Sequence, residues 1–135
     1  MAVLPNPSDT YRRIDFDARV AGADQHQLVA LCFEQLVSAL GSAIYAADNM
    51  DNRQKSASLT RALSALTALE LGVDPDQAAG PALLRLYASA RRAVLDSVPA
   101  FDRKTVHAVR QDFIEIAQAL FPGHAPAPRM LNNGG

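Results

Sequence analysis

The sequence predicts an all-α protein, an antiparallel four-helix bundle, and three observations predict it. Four segments carry apolar residues at steps of three and four, the spacing of one helical face. Each segment is bounded by its own cap or stop signal, and the connections between them are mostly short and rich in turn residues. No sheet is left to build: the one strictly alternating run, Ile14 to Val20, has no second strand to pair with.

Taken in order, residues 1–10 hold Pro5, Pro7, Ser8 and Asp9, a composition that resists regular structure. The run IDFDARV follows, and residues 11–23 are expected to lie on the bundle as an extended arm or short helical turn. Tyr11, Ile14, Phe16 and Val20 would be its contacts, and Gly22 its end. The first helix should start at Asp24, whose carboxylate can accept from the first turn while Gln27 reaches back in a capping box. Leu28, Leu31, Cys32, Leu36, Ala39, Leu40, Ala43 and Ala47 then share one face, widened by Val29, Phe33, Val37 and Ile44. That is more apolar surface than a one-sided helix needs. Either the helix sits centrally in the bundle, or part of its face is kept for a partner.

DNMDNR supplies a turn, and a second helix is expected from about Arg53 to Leu71. Its core face would be Leu59, Leu63, Leu66 and Leu69, with Ala62 and Ala65 allowing close approach; Arg61, Ser64 and Glu70 would face out. Gly72 should stop it as a left-handed cap. Pro81 suits the first position of a third helix running to about Ser97, with Leu83, Leu84, Tyr87, Ala90, Val94, Leu95 and Val98 inward and Arg85, Ser89, Arg92 and Asp96 solvated. Pro99 ends it. Asp102 should cap a fourth helix whose seam is Val106, Val109, Phe113, Ile116 and Leu120, closed by Phe121-Pro122-Gly123. The organisation expected is an arm over 1–23, a bundle over 24–121 and a disordered Ala-Pro tail over 122–135, in which Met130 and Leu131 are either a small docking handle or, as is commoner for such tails, inert.

A chain of 135 residues is one domain by length and can bury a core without metals or disulfides. Its net charge of −1 and pI near 6.3 lack the basic footprint of a nucleic-acid binder, and no polybasic run would hold an anionic membrane. Cys32, the single cysteine, falls in the apolar face and fits a reducing compartment. No secretory leader pattern opens the chain, and no uninterrupted apolar run approaches ~20 residues. These features point to the cytosol, with no membrane insertion.

Reactive constellations are missing from the pattern. His26, His107 and His124 have no His, Cys or acidic residue at metal-ligand spacing. GxxxxGK[ST] and GxSxG do not occur. Asp112 and Glu115 read as the polar side of a helix, and Arg12-Arg13 and Arg91-Arg92 as solvated charges. No enzyme activity, cofactor or metal is expected. Phosphotransfer is the alternative function for a helical bundle with helical histidines, but His26 is followed by QLVALC and His107 by AVRQDF, without the lysine and small residue that such a site uses to receive phosphate.

Tyr11 to Leu40, read as a unit, resembles the N-terminal half of the flagellar secretion chaperone family FliS. The resemblance rests on Tyr11 in an N-terminal arm, the alternating IDFDARV, the small-residue AGA, and the helix start Asp24-Gln25-His26-Gln27-Leu28-Val29. It continues through Ala43, the Asp48–Asp51 turn, Lys55, Leu59 and Arg61-Ala62, and Leu83-Leu84-Arg85-Leu86-Tyr87 is similar to the family's NL-x-x-LY signature, for a coverage of about residues 11–120. Phe33-Glu34, a short 72–80 connection with one glycine before the third helix, and the lack of a tryptophan near Ala119–Phe121 depart from it.

The resemblance implies a binding function: holding the C-terminal segment of flagellin in the cytosol, preventing premature polymerisation, and bringing it to the flagellar export gate. Tyr11, Ile14, Phe16, Val20, Leu28, Val29, Phe33, Leu36, Leu40, Ile44, Leu86 and Tyr87 are the residues expected to bind flagellin or dock the arm. Burying one arm side chain contributes roughly 1.5 to 3 kcal/mol against ~1 to 2 kcal/mol for each of about ten residues ordered, so the arm is expected to be only marginally held; on its residues alone it is either a permanent part of the core or a displaceable lid, and the resemblance favours the lid.

Overall fold

A computed structural model describes residues 24–124. They form four helices, α1 (Gln25–Asp48), α2 (Asn52–Leu71), α3 (Gly80–Asp96) and α4 (Arg103–Leu120), followed by a 3-10 turn at Pro122–His124. No strand occurs among the described residues. The expected arm contacts Tyr11, Ile14, Phe16 and Val20 lie outside them, as do Met130 and Leu131. The neighbours are α1–α2, α2–α3, α3–α4 and α4–α1, the ring of an up-and-down bundle, with the α1–α2 pair the most extensive.

Local chemistry starts three of the helices. Asp24 Oδ1 accepts from the Gln27 N–H at 2.8 Å, and Gln27 Oε1 accepts from the Asp24 N–H at 3.0 Å, so the expected capping box is complete. Asp51 and Asp102 cap α2 and α4 by accepting from the Gln54 N–H at 3.0 Å and the Thr105 N–H at 3.2 Å. No side chain caps α3, which begins at Gly80 with Pro81 in its first turn. A compact connection precedes it: the Asp76 N–H donates to Asp74 Oδ1, the Gln77 N–H to the Asp74 carbonyl and the Gly80 N–H to the Gln77 carbonyl. Gly80 is buried there, where a Cβ would come within 2.4 Å of the Asp74 carbonyl oxygen.

Helix α1 is the core helix. Leu36, Ala39, Leu40 and Ala43 are fully enclosed, in one core cluster with Leu59, Ala62 and Leu66 of α2 and Val106 and Phe113 of α4. Its width is thus explained largely by central position. By length and composition α1 could cross a membrane, although no uninterrupted apolar run approaches that length; half of its most apolar window is buried inside the bundle.

The structure changes four local expectations. Gly72 takes right-handed geometry, φ −86°, whereas the left-handed residue is Met50, φ 57°. Met50 and Asp51 donate to the Ala47 and Ala46 carbonyls at 3.1 and 2.8 Å, completing a Schellman motif with methionine where glycine is usual. On α4 the buried row is Val106, Phe113 and Ala117 running on to Phe121, while Leu120 is half exposed; Phe121, read as a stop, is core because it continues the i+4 steps from Phe113. On α3, Leu95 and Val98 are exposed because the inward row narrows to Tyr87, Ala90 and Val94. Finally, Glu70 and Arg91 are not free surface charges: Arg91 makes a two-pronged contact with Glu70, at 2.6 and 3.3 Å, and reaches Thr67 Oγ1 at 2.7 Å, tying α3 to α2. Arg61 is likewise half-buried, donating to Ser58 Oγ at 3.2 Å.

Candidate functional site

The antiparallel arrangement brings the start of α1, the end of α2, the start of α3 and the end of α4 to one end of the bundle. A pocket of about 620 Å³ opens there. Val29, Leu69, Leu83, Tyr87, Leu120 and Phe121 supply its apolar walls, and Gln25, His26, Asp74 and Gln77 its polar positions. Beneath it lies an aromatic cluster. Phe33 meets Tyr87 edge-on at 6.2 Å between ring centroids, and meets Phe113 and Phe121 at 5.5 and 5.4 Å. His26 lies against Phe121 at 4.9 Å, a contact absent from its reading as a plain surface residue. A smaller groove of about 160 Å³ between α1 and α2 is lined by Cys32, Gln35, Arg61, Ser64, Ala65 and Ala68.

Electrostatics in this region favour neutral side chains. Burial, with the neighbouring Cys32 second, pushes the Tyr87 phenol up to about 12, and burial raises the Cys32 thiol as well. Neither is a nucleophile at neutral pH, since the thiolate and phenolate are the forms that burial disfavours. No group of three or more His, Cys, Asp or Glu suited to a metal occurs among the described residues. What the site offers is apolar surface with a polar edge, the chemistry of binding.

The expected binding residues divide in two. Phe33, Leu36, Leu40, Ile44 and Tyr87 are buried within the bundle, whereas Leu28, Val29 and Leu86 keep accessible surface. Val29 and Tyr87 meet at the pocket, above Phe33; Leu36, Leu40 and Ile44 lie further along α1, in the core. Sequence reasoning missed Leu83, Leu120 and Phe121 as parts of one surface. No periodicity within a helix could reveal it, because the pocket gathers the ends of four helices and one connection.

The opposite end is tied by polar contacts. Arg103, the first residue of α4, grips the Asp48 carboxylate of α1 with two hydrogen bonds at 2.9 and 3.1 Å, and that contact holds the Asp48 carboxyl below the usual range. The Thr105 hydroxyl and N–H lower the Asp102 carboxyl in the same way. Lys55 of α2 sits 5.6 Å from the Phe101 ring centre.

Among known families, residues 7–120 match the family described as flagellar protein FliS. No curated protein matches the chain.

Proposed function

The chain belongs to the FliS family of flagellar proteins, a chaperone family, and from that membership we propose that it is a cytosolic export chaperone for flagellin. Its client would be the C-terminal segment of flagellin, held one to one, kept from premature polymerisation and delivered to the flagellar secretion apparatus. The family match across residues 7–120 is the observation that carries this reading.

The physical form is a disordered, apolar-patterned segment that folds as it lies on a helical surface. Leu28, Val29 and Leu86 offer accessible apolar surface at the margin of a rigid core, and of the expected binding residues within 24–124 they are the ones a client meets without opening the bundle. Phe33, Leu36, Leu40, Ile44 and Tyr87 hold the surface in shape from beneath. Tyr11, Ile14, Phe16 and Val20 would cover part of it until the client displaces them. The protein works by binding alone, without turnover.

Co-purification tests the partner. Full-length flagellin should be retained by the chain, and flagellin lacking its C-terminal segment should not. Equal retention of both would remove that segment as the client.

A further inference from the structure

We propose that the pocket at the open end of the bundle is a docking site for the chain's own C-terminal segment, with Met130 and Leu131 seated on its apolar walls and Arg129 at its acidic edge. Three observations meet here. The chain leaves α4 through Leu120 and Phe121, which are themselves pocket walls, so the segment is tethered at the pocket it would fill. Six residues lead from His124 to Met130, a reach of roughly 20 Å when extended, and Ala125-Pro126-Ala127-Pro128 makes a spacer that favours extension. Arg129 is the only charged residue from 125 onward and is followed at once by the only large apolar pair. The pocket offers the complement: Leu83, Tyr87 and Val29 as apolar surface, and Asp74 on its lining, with exposed Asp76 two residues on.

Tethering makes the docking intramolecular, so a modest contact is occupied without any partner present. The inference does not depend on which client the protein carries, and it assigns the tail a place in the free chain.

Methyl NMR of the full chain tests it. Met130→Ser with Leu131→Ser should shift the methyl signals of Val29, Leu83 and Leu120 and leave those of Leu40 and Leu66, deep in the core, in place. A synthetic peptide of residues 125–135 added in excess to this double variant should return the shifted signals toward their original positions. Arg129→Glu should shift the same signals in the same direction by a smaller amount. Unchanged Val29, Leu83 and Leu120 signals in the double variant would overturn the proposal. So would signals that respond to Phe16→Ser and not to the tail, which would put the N-terminal segment in the pocket. Signals that follow protein concentration and disregard the tail would put a second copy there and overturn it equally.

Discussion

At one end of the bundle α1 passes into α2 through Asn49, Met50 and Asp51 alone, and Arg103 locks the start of α4 onto Asp48. At the other, α2 passes into α3 through the longer Gly72–Ala79 connection, and a pocket of about 620 Å³ lies where the four helices meet. Polar contacts close the first end: caps at Asp51 and Asp102, a two-pronged ion pair, a lysine beside an aromatic ring. Apolar walls and a turn packed on a glycine shape the second. The difference teaches where a bundle of this kind keeps room for a guest. Apolar side chains are exposed at both ends, Tyr45, Met50 and Val98 at the first and Leu71 and Leu120 at the second, but at the second the helix margins and the loop gather apolar walls around one hollow.

The largest expected effect is at the open end. Gly80→Ala places a methyl against backbone, 2.4 Å from the Asp74 carbonyl oxygen and 3.0 Å from the Pro75 Cα, so the whole connection must shift. Chemical denaturation should show a loss of about 1 to 3 kcal/mol, the usual cost of overpacking, with the pocket deformed as well. A variant as stable as the parent would mean that this connection is soft, and the contrast between the ends would fail.

A smaller effect of opposite sign is expected at the clamped end. Met50 is 87% exposed and held at φ 57°, a conformation costing a non-glycine residue roughly 1 to 2 kcal/mol, against about 0.5 to 1 kcal/mol for the extra freedom glycine loses on folding. Met50→Gly should therefore raise stability by about 0.5 to 1 kcal/mol, read as a higher denaturation midpoint at unchanged slope. A lower midpoint would show that the methionine side chain contributes to the turn.

The smallest effect concerns the exposed pair Asp48–Arg103. Because the folded state lowers the Asp48 carboxyl below its usual 3.8, the pair's contribution is complete above that value and fades as pH falls through the lower folded one. Asp48→Asn should melt slightly below the parent at neutral pH. The gap should shrink in strong acid and in ~1 M salt, where screening acts over a few ångströms. A gap that persists under both conditions would mean that packing, and not charge, joins α1 to α4 there.

Much of the architecture was legible because its signals are local. Asp24 with Gln27, and Asp102, announce helix starts through bonds made within one turn and stand where the sequence put them, while Pro81, expected at the first position of its helix, comes second after Gly80. Phe121 was harder, since Pro122 and Gly123 after it read as a stop although its ring continues the buried row of α4. Gly41 carries no local signal at all. It admits the Arg110 side chain, whose Nε donates to the Val37 carbonyl at 3.2 Å and lies 2.9 Å from where a Cβ would be. That requirement comes from a helix 69 positions further on, counted from 41 to 110. The pocket was illegible for the same reason, being a property of how ends meet. Of the expected binding residues, those chosen by helical periodicity proved mostly to be core, because periodicity reports the buried face and is silent on where that face is left uncovered.

Asp51 serves two helices. Its N–H finishes the Schellman motif that ends α1, and its carboxylate caps α2. Forming that turn therefore stops one helix and starts the next in a single event, and it closes the shortest of the three loops between helices, the one with the least chain entropy to lose. The helix pair it joins is also the most extensively packed, and it lies ahead of α3 and α4 in the chain. Order of assembly is thereby written into order of synthesis: the hairpin of α1 and α2 can pair as soon as Leu71 has left the ribosome, giving the later helices a formed surface to close upon.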